Sequence, residues 1–232
     1  MRDEAVIWHE AECGSYAADL DLWERLADEA QGETLELGCG TGRVASHLLR
    51  RGHRVTGLDR EPALLAALGD DGFLGDARDF DLDGEFDLIL APMQLIQLFA
   101  GSDERLGCLL SVARHLAPGG LGAFAIVESM PSPVDAPPPL PDTREADGWV
   151  YSSLPVETLV EDGTIRVRRL RQTVSPGGEL SEELDEVVLQ ALDRAELEDE
   201  ARRAGLRPAS RRTIPATEAH VGSTVVLLER EA

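Results

Sequence analysis

The chain has 232 residues, 43% hydrophobic and 28% charged, enough for one large or two small domains and unlike the composition of a disordered chain. Its 44 acidic residues against 22 basic ones leave a formal net charge of −22, a surface that repels phosphate backbones and makes a nucleic-acid partner unexpected despite short arginine clusters such as 166–171. Cys13, Cys39 and Cys108 are too few and wrongly spaced for a disulfide framework or a metal site, and an acidic N-terminus with no apolar run near about 18 residues points to a cytoplasmic protein without a membrane partner.

Between residues 17 and 30 the apolar Leu20, Trp23, Leu26 and Ala27 recur at helical spacing among acids, and Gln31-Gly32 ends the predicted surface helix. Residues 34–37 read as a strand, a glycine cluster follows, 44–50 carry helical periodicity and 54–58 read as a second strand. The pattern repeats with a helix at 62–68, a short strand at Phe73-Leu74 and a strongly apolar strand at 86–91. A helix at 103–116 then stops at Pro118-Gly119-Gly120, before a strand at 121–127. Such alternation with short connections predicts an α/β fold with a parallel sheet covered on both faces. Regularity breaks at the proline-rich 130–142, read as an extended linker or surface loop. Beyond it, strands at 149–159 and 164–174 joined through Glu161-Asp162-Gly163 form a hairpin, with a third antiparallel strand at 184–192. A helix at 194–204 capped by Gly205 and two strands, 207–214 and 223–229, close the chain.

The strongest motif is LELGCGTGR at 35–43, between the first strand and the first helix of the alternating region. Gly38, Gly40 and Gly42 let the backbone turn sharply and approach a ligand, and the next helix offers unpaired N–H groups at its start. Alone, such a turn also fits NAD or no ligand at all. The dinucleotide fingerprint G-x-G-x-x-G/A, however, wants a small residue where Arg43 stands. An acid, Glu36, sits two positions before the first glycine. About twenty residues on, Asp59 ends the second strand, where a carboxylate accepts ribose hydroxyls in this architecture. Asp76 follows the third strand.

On these residues, together with FDLILAP at 86–92 and LAPGG at 116–120, the chain resembles the class I (Rossmann-like) S-adenosylmethionine (SAM) dependent methyltransferases of small-molecule type, over roughly residues 30–130. The resemblance implies a doubly wound seven-stranded, mostly parallel sheet with an antiparallel last strand, plus a small antiparallel β insertion. It divides the chain into an N-terminal helical lid (1–33), a SAM-binding core (34–130), a linker and insertion (131–192), and a helix and two strands completing the core sheet (193–232). It implies SAM as cofactor and S-adenosylhomocysteine as product, held by Tyr16, Glu36, Gly38, Cys39, Gly40, Arg43, Asp59, Arg60, Asp76, Ala77 and Ala91. Asp59 would take the ribose, and Asp76 the adenine amino group with the Ala77 N–H at the ring. Cys39 reads as a small residue fitted into the turn and not as a nucleophile. Arg43 is open between a cofactor-carboxylate contact and a solvated helix charge, and Tyr16 between touching the donor and packing. The fourth strand lacks the N/D-P-P-Y signature used to methylate bases, which again counts against nucleic acid.

Methyl transfer from a sulfonium is an in-line displacement, so the protein must hold the nucleophile against the methyl group and exclude water. A base matters for a hydroxyl acceptor more than for an amine, carboxylate or thiolate. Ligands in open α/β sheets bind beyond the carboxyl ends of the strands. This nominates Met93, Gln94 and Gln97 after the fourth strand, Glu128 and Met130 after the fifth, and His220 between the last two strands as the candidate catalytic base, a packing histidine being the alternative. Trp149 and Tyr151, with Arg166, Arg168 and Arg169, either wall the acceptor pocket or form a dimer contact, the arginines otherwise being a solvated strand face paired with cross-strand acids. The expected partner is a small-molecule methyl acceptor of a monomer or homodimer. A nucleic-acid or protein methyltransferase and a non-catalytic SAM-binding protein are the alternatives.

Overall fold

The computed structural model describes residues 3–130, 140–217 and 220–230, so most of the proline-rich linker read at 130–142 lies outside the described residues. Helix α1 (Glu4–Cys13) starts where the Asp3 carboxylate accepts the Ala5 N–H at 2.9 Å, satisfying an otherwise orphan donor. Helix α2 (Leu20–Ala30) buries its stripe of Leu22, Trp23, Leu26 and Ala27 and ends on Gln31 in the left-handed conformation. The alternating region follows as β1 (Glu33–Leu37), α3 (Arg43–Arg50), β2 (Arg54–Asp59), α4 (Pro62–Leu65), β3 (Gly72–Leu74), β4 (Phe86–Ala91), α5 (Ser102–His115) and β5 (Leu116–Ile126). A separate antiparallel sheet holds β6 (Asp142–Ala146), β7 (Trp149–Glu161), β8 (Thr164–Val174) and β9 (Leu180–Gln190), after which α6 (Arg194–Arg203), β10 (Leu206–Ile214) and β11 (Ser223–Arg230) return to the main sheet.

The main sheet has the order β10-β11-β5-β4-β1-β2-β3, with β11 antiparallel to both its neighbours and the other pairs parallel. This is the doubly wound, seven-stranded α/β fold expected from the sequence. Side chains alternate across it: Leu88 and Leu90 of β4 join Trp23, Val44 and Leu48 under α2 and α3. Ile89 and Ala91 join Leu109, Val112 and Leu197 under α5 and α6. Both faces are covered, which is why the central strands read as unbroken apolar runs. On the second face α5 and α6 are also tied by Arg105, whose guanidinium reaches Glu200 at 2.6 and 2.8 Å and Glu196 at 2.8 Å.

Helix α1 was not announced by any periodicity, α4 ends at Leu65 and not 68, and β9 runs from 180 to 190 and not 184 to 192; two further elements differ in kind from the sequence reading. Pro118-Gly119-Gly120 does not delay the fifth strand to 121. Pairing starts at Leu116 opposite Phe86 and resumes at Leu121 opposite Leu88, so the extra residues are absorbed as an irregularity inside β5. Gly120 fits there because an added Cβ would lie 2.9 Å from the carbonyls of Ala117 and Phe86. The insertion, in turn, has four strands: β6 reads DTREA, too charged for a strand signal, and is fixed by its pairing with β7. The β7–β8 hairpin turns at Asp162 and Gly163, both with positive φ as a two-residue type I′ turn requires. No helix among the described residues is long and apolar enough to cross a membrane.

Candidate functional site

The carboxyl ends of β3, β2, β1 and β4 lie side by side and bring the distant motifs to one edge. After β1 the chain turns through Gly38 (φ 61°), Gly40 (φ 56°) and Gly42 (φ 80°), a path that L side chains resist. Space is also closed: a Cβ on Gly38 would lie 2.7 Å from Leu95, and one on Gly40 2.1 Å from His9 Nε2. The Cys39 N–H donates to the Leu58 carbonyl at 3.0 Å, pinning the turn to β2, while burial pushes the Cys39 thiol pKa up. Glu36 anchors the turn from beneath, its carboxyl accepting the Ala45 N–H in the first turn of α3 at 2.7 Å.

Asp59 closes the same turn from the neighbouring strand. Its Oδ2 accepts the Gly40 N–H at 2.8 Å and its Oδ1 the Glu61 N–H at 2.9 Å. A carboxylate offers about four acceptor positions, so both oxygens keep capacity toward an incoming pair of hydroxyls. Asp76, one strand further, accepts from the Arg78 N–H and side chain at 2.6–3.2 Å. The Arg78 guanidinium, which also reaches Glu104, holds the Asp76 carboxyl below the usual carboxylate range. Ala77 is buried beside it and Arg60 is exposed. A glycine turn that leaves no room for side chains, flanked by two fixed carboxylates with spare acceptor capacity, fits a ligand carrying ribose hydroxyls and an adenine amino group.

β4 ends in buried Ala91, and Met93 and Gln94 both have positive φ (49° and 61°), strain that concentrates at functional loops. Gln94 Nε2 donates to Ser223 Oγ at 3.1 Å, tying this exit loop to the start of β11 and to the loop that carries His220. The His220 ring packs against Tyr16 at a 40° tilt, 4.6 Å between centroids, and the Arg43 guanidinium lies 5.2 Å from the Tyr16 ring centre. Tyr16, His220, the β4 exit and the glycine turn thus form one cluster.

Other predicted residues sit elsewhere or are committed. Arg43 is neither solvated nor aimed at the turn: it forms a two-pronged pair with Asp19 at 2.6 and 2.7 Å and donates to the Tyr16 carbonyl. Asp19, which also accepts the Trp23 indole N–H, was missed by sequence reasoning; an acid immediately before an apolar helix was its only signal. Gln97 is fully buried, its amide exchanging two hydrogen bonds with Val127 and donating to the Gln190 carbonyl. Glu128 accepts from the Arg194 N–H and the Thr224 hydroxyl, joining α6 to β11. Tyr151 packs edge-on against Trp8 at 5.3 Å, and Trp149 is partly exposed on β7.

Burial pushes the Glu36 pKa up to about 8, so this carboxyl is neutral in the folded protein at pH 7. Below about pH 4.5, the ordinary value, folded and unfolded chains both hold the proton. Between there and pH 8 only the folded chain keeps it, so Glu36 costs stability as pH rises, by at most about 1.4 kcal/mol per pH unit. Glu36→Gln, which still accepts from Ala45, is expected to gain on the wild type across this window in urea unfolding. Parallel pH profiles would contradict a buried neutral Glu36.

Residues 34–120 match the family model described as a methyltransferase domain. A cypemycin N-terminal methyltransferase from a Streptomyces species is 32% identical over 114 residues; the match covers 46% of each chain, so it spans about half the length of this curated relative. Among solved structures, a SAM-bound amino pentose methyltransferase from Micromonospora echinaspora aligns with a TM-score of 0.72 at 21% identity, covering 97% of both chains. A sugar N-methyltransferase from a Streptoalloteichus species aligns with a TM-score of 0.74 at 20% identity, covering 100% of this chain and 94% of that one. At these identities the likeness speaks for the fold.

Proposed function

We propose that this chain, which carries a methyltransferase domain at residues 34–120 and has the class I SAM-dependent methyltransferase fold, transfers the methyl group of SAM to an amine of a small molecule and releases S-adenosylhomocysteine. The observation that carries the reading is the line of Asp76, Asp59 and the glycine turn along neighbouring strand ends, an order that would suit the adenine, ribose and amino-acid tail of SAM in turn. In this reading Asp59 accepts both ribose hydroxyls, Asp76 accepts the adenine amino group, and the Ala77 N–H meets the ring edge. Bound SAM supplies an electrophilic methyl group on a sulfonium. Ala91, Met93 and Gln94 line the side where the acceptor approaches.

An amine is favoured by the relatives, whose names specify an amino pentose, a sugar nitrogen and an N-terminus. The net charge of −22 also attracts a cationic acceptor. Such an acceptor must lose its ammonium proton before attack, and His220, packed against Tyr16 in the cluster, is the proposed acceptor of that proton. The division into lid, core, insertion and closing elements, and a cytoplasmic location, belong to the same reading.

Incubation with SAM and three matched sugars bearing a free amine, an N-acetyl group or only hydroxyls tests it. One methyl added to the amine alone, with equimolar S-adenosylhomocysteine, is expected; methylation of the hydroxyl sugar alone would overturn the amine reading. His220→Ala is expected to slow turnover by about a hundredfold or more with SAM affinity unchanged. Equal rates would remove His220 from proton transfer.

A further inference from the structure

Helix α1 is held less by the main sheet than by the insertion. Ile7, Trp8 and Ala11 share an apolar cluster with Tyr151, and the Arg171 guanidinium lies 5.1 Å over the Trp8 ring. Glu12 receives Arg171 at 2.7 and 2.9 Å and the Ser153 hydroxyl at 2.7 Å, and Arg144 pairs with Glu10 at 2.5 Å. Arg169 links Ser153 to Asp142 in the same cluster. The Glu12 and Arg171 side chains are only 13% and 17% exposed, so water screens the pair weakly and its geometry is well fixed. A helix locked on one side by ion pairs and on another by aromatic packing presents its remaining side chains in defined places.

One of these is His9. Its imidazole lies so close over the glycine turn that a Cβ on Gly40 would be 2.1 Å from Nε2 and 2.3 Å from Cε1, and its Nδ1 is 3.3 Å from the Thr41 hydroxyl. Burial lowers its pKa against the raising influence of Asp59, Glu10 and Glu12, so the ring is held neutral at pH 7, with one nitrogen donating and the other accepting. With Asp76 after β3 and Asp59 ending β2, a nucleoside lying along this edge would send its remaining chain toward the turn after β1, where His9 sits.

We propose that His9 binds the amino-acid end of the methyl donor, and that the Glu12–Arg171 pair is a positioning device through which the insertion sheet holds His9 over the turn. This rests on the SAM reading above and adds to it a ligand contact and a role for the insertion. A neutral imidazole suits a zwitterionic tail, since it can donate to the carboxylate or accept from the ammonium.

The test compares S-adenosylhomocysteine with 5′-methylthioadenosine, which has the nucleoside and sulfur without the amino-acid tail, by calorimetry. His9→Ala is expected to weaken S-adenosylhomocysteine about tenfold and to leave 5′-methylthioadenosine within about twofold. Arg171→Met should do the same to a smaller degree, and His9→Gln, which keeps a donor and an acceptor, should recover part of the loss. Unchanged S-adenosylhomocysteine affinity in His9→Ala would overturn the contact, and an equal loss for both ligands would reduce His9 to a packing residue. Should His9→Ala fail to fold, His9→Gln and Arg171→Met decide on the same pair of ligands. Wild-type protein that binds neither ligand would instead sink the SAM reading, and the role of His9 with it.

Discussion

Asp59→Ala is expected to weaken SAM by about 1–3 kcal/mol, roughly 5- to 150-fold, with little change in thermal stability. The reason is geometric. The carboxylate is already oriented by the N–H groups of Gly40 and Glu61, so in the proposed reading it would meet a ribose without reorganising, and it sits at the surface end of β2 away from the packed core. Asp59→Asn keeps one acceptor oxygen and should fall between wild type and alanine. Calorimetry with SAM reads both; an alanine variant with wild-type affinity would take Asp59 out of the site.

Arg105→Ala should unfold far more readily than wild type, losing about 3–5 kcal/mol, because it leaves buried Glu200 as an uncompensated charge between α5 and α6. Arg105 and Glu200 are 4% and 6% exposed, so neither charge is rescued by water. The paired change Arg105→Met with Glu200→Leu removes both charges and fills the space, and should recover most of the loss. Urea unfolding of the two variants separates the cases. If the single and double variants cost the same, the pair is not the link between these helices.

What could be read in the sequence was local. The run FDLILA is buried on both faces and needs no partner to announce itself, the glycine turn demands positive φ at fixed positions, and Asp162-Gly163 is a hairpin by its own conformational preference. What could not be read depended on residues far apart. Arg43 pairs with Asp19, 24 positions away, so it is not the solvated helix charge that was one of its two sequence readings. β6 has the composition of a loop and becomes a strand through β7. Gln97 follows the fourth strand as expected, yet its amide turns inward because the backbone of Val127, 30 positions on, presents both a donor and an acceptor. His9 meets Thr41 across 32 positions, and no spacing rule connects a helix near the N-terminus with the turn it covers. The edge of the sheet was legible because each acid ends or follows its own strand; an N-terminal lid was expected from the resemblance alone, and which of its side chains meet the turn was not legible, because their placement is set by ion pairs with an insertion whose strands are themselves half polar.

The central claim is tested most directly by titrating the protein, in parallel, with SAM, S-adenosylhomocysteine and NAD and reading heat of binding. Saturable binding of the first two, with none for NAD, is the predicted result. Binding of NAD alone would contradict the account and return the glycine turn to a dinucleotide site.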